Sequence, residues 1–155
     1  ESGTADYCTM FEPVASEYEA AGKGYVVASV GEESGEVPYT CFMAKDSWLE
    51  DHSEEAKGFL RAVMKALKYL NETPSETAAP YLLPYFESTS AQSLAISIES
   101  YRGIDAWQTD LKMTEEGFTR LQDIIENAGE LERRVALGEL VDNSYADAAY
   151  RDVYN

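Results

Sequence analysis

Three short apolar runs rich in β-forming residues crowd into the first 44 positions of a chain whose remainder is patterned for helices. Residues 4 to 11 alternate, with Tyr7, Thr9 and Phe11 on one face and Cys8 and Met10 on the other. GYVVASV from Gly24 to Val30 and PYTCFMA from Pro38 to Ala44 are the second and third runs. Each reads as a strand. Between the first two, Pro13 suits a first helical turn, and Val14, Ala15, Tyr18 and Ala21 form the apolar stripe of a short helix. Gly22 and Gly24 end it. GEESGE, residues 31 to 36, reads as a polar turn. A strand that feeds a helix this way needs neighbouring strands, and three strands are too few to be a self-sufficient parallel sheet inside a shell of five or so helices. The fold class expected is therefore α/β, helix-rich with about three strands, and the segment reads as part of a larger sheet.

Beyond residue 50 the period changes to that of helices. Ala56, Phe59, Leu60, Val63, Met64 and Leu67 recur at helical spacing behind Ser53, which reads as an N-cap. Thr73-Pro74-Ser75-Glu76 has the form of a capping box, and Pro80 and Pro84 are expected to kink or stop the helix it starts. Ser90 opens a further helix through Leu94, Ala95, Ile98 and Tyr101, closed by Gly103. Residues 104 to 112 form a connector carrying Trp107. Thr114 caps a helix through Phe118, Leu121, Ile125 and Ala128 that Gly129 ends, and a short helix is expected from Asp142 to Tyr150.

Charge narrows the partners. With 12 basic and 29 acidic residues the chain carries a net charge of −17. Nucleic acid and anionic membrane surfaces both require a basic footprint, so neither is expected as the main partner. Two cysteines, Cys8 and Cys41, are too few for a disulfide framework or a structural zinc site. Each lies in an expected strand and reads as a small buried thiol. A bridge between them would need the strands to bring the Cβ atoms within about 4.5 Å. No signal peptide or transmembrane run is present, and the chain opens at Glu1 inside a patterned segment, which reads as a processed product or a piece of something longer.

Catalytic chemistry finds little support. A nucleophilic triad needs a base, and His52, the sole histidine, sits in an acidic run, where it reads as an exposed loop residue. No HExxH, CxxC, GxGxxG or P-loop pattern occurs, so no catalytic residue, metal ligand or cofactor is assigned. The residues point instead to binding. Glu12, at an expected strand-to-helix junction, could accept hydrogen bonds from an amine, amidine or aminopyrimidine; equally, it could simply be a helix N-terminal charge. Phe11 and Tyr39 are suited to stacking on a flat ring, though the aromatics could equally be core, and Tyr39 and Thr40 supply hydroxyls.

The order GTADYCTMFEP, a helix ending in Gly, GYVVASVG, VPYT and then a long amphipathic helix resembles the second half of one family. These are the substrate-binding proteins of ABC importers for nitrate, taurine and other sulfonates, and thiamine pyrimidine precursors. SEEAKGFLRAVMKAL, SIESYRGIDAWQTD and TEEGFTRLQDIIENAGEL agree with the family's C-terminal region in order and character, so the resemblance spans roughly residues 3 to 150. It implies the C-terminal portion of a type II periplasmic-binding-protein fold. Residues 1–23 would end its second lobe, 24–37 would cross a hinge, and 38–155 would return into the first lobe, mostly as helices. It further implies a small-molecule solute, an ABC permease and ATPase as partners, an extracytoplasmic location, and Glu12, Phe11, Met10, Tyr39 and Thr40 as ligand-binding residues. The family's other half supplies the opposite cleft wall. Its absence from this chain would expose apolar surface open to homodimerisation or strand exchange. Two alternatives stand beside this reading. The superfamily includes fungal enzymes that build the thiamine pyrimidine, consuming an active-site histidine and needing a cysteine cluster, and this chain has neither feature. The other alternative is a helical interaction module without a small-molecule site.

Overall fold

A computed structural model describes residues 3–155. The chain divides into two compact units, each assembled from two stretches: the first takes the chain up to Glu33 and again Tyr69–Trp107, the second Ser34–Lys68 and Gln108–Asn155. The helices are α1 (Val14–Ala20), α2 (Val30–Ser34), α3 (Asp46–Asp51), α4 (Ser53–Glu72), α5 (Ser75–Leu82), α6 (Ala91–Gly103), α7 (Glu115–Asn127), α8 (Leu137–Leu140) and α9 (Ser144–Tyr154), with a 3-10 turn at Leu83–Tyr85.

The α/β expectation is overturned. Among the described residues there is no strand and no sheet, so an α/β fold with about three strands does not describe this structure. All three runs read as strands lack regular secondary structure through residues 7 to 11, 24 to 29 and 37 to 45. Alternation gives a segment two faces, but a strand exists only when its amides and carbonyls find a ladder on a neighbour. Here no ladder forms, and large side chains of all three runs lie open: Tyr7 is 80% exposed, Tyr25 86% and Met43 89%. Val30 ends the second run by starting α2 over the expected polar turn, and Ser29 Oγ accepts from the Glu32 amide at 3.2 Å. Cys8 and Cys41 are free and exposed, so neither is the buried thiol that strand placement implied.

In the first unit the core is the seam between α5 and α6. Ala78, Ala79, Leu94, Ala95 and Ile98 are buried there, with Leu70, Leu82 and Leu83 packed against them. Paired alanines on α5 let the two helices approach closely, and Ile98 fills the space between at 2% exposure. Ser90 caps α6 as its sequence position suggests, its Oγ accepting from the Ser93 amide at 3.0 Å. Thr73 does not form the expected capping box: Pro74 is the N-cap of α5 and offers no side-chain acceptor. Pro80 lies inside α5 without ending it, and the helix tightens into the 3-10 turn only at Leu83, with Pro84 in its first positions.

Arg102, near the end of α6, fastens the C-terminus of α4. Its Nη2 donates to the carbonyls of Leu70 and Thr73 (2.9 Å to the latter), while Nη1 pairs with Glu99. The Leu70 carbonyl belongs to the last turn of α4 and Thr73 follows that helix directly, where no intrahelical amide is left to satisfy the carbonyls and positive charge suits the dipole. The connector expected at residues 104 to 112 is held by Trp107, whose indole Nε1 donates to the Ile98 carbonyl at 3.0 Å while Asn71 donates to the Trp107 carbonyl at 3.2 Å. Tyr101 meets the Trp107 ring edge-on, centroids 5.3 Å apart.

Within the second unit Met64 of α4, Phe118 of α7 and Ala146 and Ala149 of α9 are buried. Thr114 caps α7 as expected, accepting from the Gly117 amide at 3.0 Å. Gly129 closes α7 at φ +75°, where a side chain would be strained. Its amide bonds to Glu126 and that of Glu130 reaches Ile125, the paired bonds of a Schellman turn. Three contacts fix α9. Arg61 pairs with Asp152 at 3.1 Å, Lys112 with Asp147 at 2.6 Å, and Lys68 Nζ sits 4.5 Å over the Tyr154 ring. No described helix is long and apolar enough to cross a membrane.

Candidate functional site

Of the five residues singled out for binding, Met10, Phe11 and Glu12 lie consecutively at the entry to α1 in the first unit, and Tyr39 and Thr40 lie in the second. Met10 is 40% exposed and Phe11 65%. Glu12 is half-buried, and the Glu12–Pro13 peptide is cis. Pro13, as N-cap, has no side chain able to cap α1. Glu12 does this from one position earlier. Its Oε2 accepts from the Ser16 amide at 3.1 Å and its Oε1 from the Ser16 hydroxyl at 2.9 Å. Both carboxylate oxygens are therefore engaged at the positive end of the helix, although each retains a second lone pair.

Tyr101 of α6 lies close enough to Glu12 for the two to act on one another. Burial is the main reason the Tyr101 phenol is held above its ordinary pKa, with the Glu12 charge a smaller contribution in the same direction. Ser16 itself is 8% exposed. The far end of α1 is equally determinate. Gly22 at φ +66° allows a Schellman turn, with the Gly22 amide on the Glu19 carbonyl and the Lys23 amide on that of Tyr18. Glu19 then turns back to accept from the Val26 amide at 3.1 Å. The result is a short, doubly capped helix presenting Phe11 beside an anchored carboxylate.

Tyr39 is 78% exposed and Thr40 is also exposed. Upstream of them the loop is tied to the N-cap and second turn of α7: Thr114 Oγ1 donates to Glu36 Oε1 at 3.1 Å and Arg120 Nη1 to the Glu36 carbonyl at 2.7 Å. Downstream, Phe42 meets Phe59 of α4 edge-on with centroids 4.7 Å apart. His52, considered as a catalytic base, closes α3 instead. Its ring stacks on Trp48 at 4.7 Å and its Nδ1 lies 3.0 Å from the Trp48 carbonyl.

A shallow recess of about 370 Å³ in the second unit is lined by Asp46, Leu49, Glu50, Ser53, Asp142 and Tyr145. Another, of about 460 Å³, runs along α7 past Glu115, Glu116, Thr119, Arg120 and Asp123. Neither is lined by any of the five residues read from the sequence. No group of three or more His, Cys, Asp or Glu side chains placed to hold a metal ion occurs among the described residues.

Over 146 residues the chain is 36% identical to a protein of Bacillus subtilis (strain 168) named "Putative binding protein YtlA". The relative is a binding protein by name. That alignment takes in 94% of this chain and 44% of the relative, so the chain spans less than half of that protein's length. No family model matches the chain, and no solved structure matches it.

Proposed function

We propose that the chain is a solute-recognising part of an extracytoplasmic binding protein that delivers its ligand to an ABC permease and ATPase. Similarity to a binding protein along 94% of the chain carries this reading. The α1 entry supplies chemistry in keeping with it: an exposed aromatic ring at Phe11, a thioether at Met10, and a carboxylate at Glu12 fixed by Ser16. A flat heteroaromatic solute stacks on such a ring while its amino group donates to the free lone pairs of the carboxylate. An anionic solute such as nitrate or a sulfonate would be repelled by Glu12, so an aminopyrimidine of the kind that precedes thiamine is the preferred class.

Thermal-shift measurements on the intact protein, with an aminopyrimidine, taurine and nitrate as probes, test the assignment. The aminopyrimidine should raise the midpoint and the anions should not. A strong shift with taurine or nitrate overturns the pyrimidine preference. If Glu12→Ala leaves a ligand shift unchanged, Glu12 is only a helix cap, and the ligand lies elsewhere. Should the intact protein respond to none of them, the helical interaction module becomes the better reading.

A further inference from the structure

We draw no further inference here: the strongest candidate, the exposed apolar patch on the irregular segment that carries Tyr25, Val26 and Val27, carries nothing because nothing in the structure shows what covers it.

Discussion

Gln122 of α7 and Val135 exchange two hydrogen bonds: the Gln122 Nε2 donates to the Val135 carbonyl at 3.1 Å, and the Val135 amide donates to Gln122 Oε1 at 2.8 Å. A side-chain amide thus does for one residue of the loop what a neighbouring strand would do in a sheet. Asn143 and Met113 repeat the arrangement, with bonds of 3.0 and 3.1 Å. Gln122 is only 6% exposed, so water is poorly placed to replace it.

Gln122→Leu should lower stability by about 1–3 kcal/mol, because the Val135 amide and carbonyl both lose their partner in a half-buried setting. Chemical denaturation should show the midpoint falling with the slope unchanged. A loss below a few tenths of a kcal/mol would mean that the loop re-solvates without strain.

Arg102→Lys should cost a similar amount. Lysine keeps the charge but cannot reach Leu70, Thr73 and Glu99 at once, as the guanidinium fork does. Hydrogen exchange should quicken at the end of α4, and Arg102→Met should be at least as damaging. Equal protection in the Lys variant would show that one contact suffices.

Ile98→Ala, in the seam between α5 and α6, should cost about 2–5 kcal/mol, the range for a buried aliphatic side chain whose surroundings only partly collapse. Ile96→Ala on the same helix should cost far less, since Ile96 is 44% exposed. The contrast between the two denaturation midpoints checks the assigned facing of α6.

Acid should loosen α9. Lys112 holds the Asp147 carboxyl below its usual range, chiefly by hydrogen bonding. A depressed folded-state pKa contributes stability that is complete above the unfolded value of about 3.9 and is lost as pH falls through the lower folded value. Asp147→Asn should therefore flatten the stability profile below about pH 4, and added salt should weaken the wild-type effect because the pair is exposed. An unchanged profile in the Asn variant would assign the acid sensitivity to other carboxylates.

Phe11→Ala should leave stability nearly unchanged, since the ring is largely exposed, yet weaken binding of a heteroaromatic solute by the intact protein about tenfold, the worth of a stacking contact. Glu12→Ala should cost about 1 kcal/mol of stability through its helix cap as well as weakening binding. Titration calorimetry beside thermal unfolding separates the two effects. Binding that survives both substitutions would remove the α1 entry from the site.

The long helices were legible because their signals are local. The apolar spacing of α4 and the caps at Ser90 and Thr114 act within a few residues, so the sequence carries both cause and effect. By contrast, a strand depends on a partner elsewhere, and alternation at residues 4 to 11 or β-branched residues in GYVVASV cannot supply one. The short helix α2 occupies much of the GEESGE run, whose glycines and charges read as a turn although Ser29-Val30-Gly31-Glu32 has capping-box spacing. At Glu12 the sequence left two readings open. The structure shows the capping contacts with Ser16, which the Glu-Pro-x-x-Ser spacing could have suggested. The cleft role depends on groups that local pattern does not encode.

Because each compact unit draws on two separated stretches of chain, synthesis order matters. The residues up to Glu33 are translated before Tyr69–Trp107 can join them, and Ser34–Lys68 before Gln108–Asn155. No single cut in the gene yields either unit as one continuous product. Each unit therefore closes only when its later stretch has been made, so its earlier stretch stays exposed to off-pathway contacts until then.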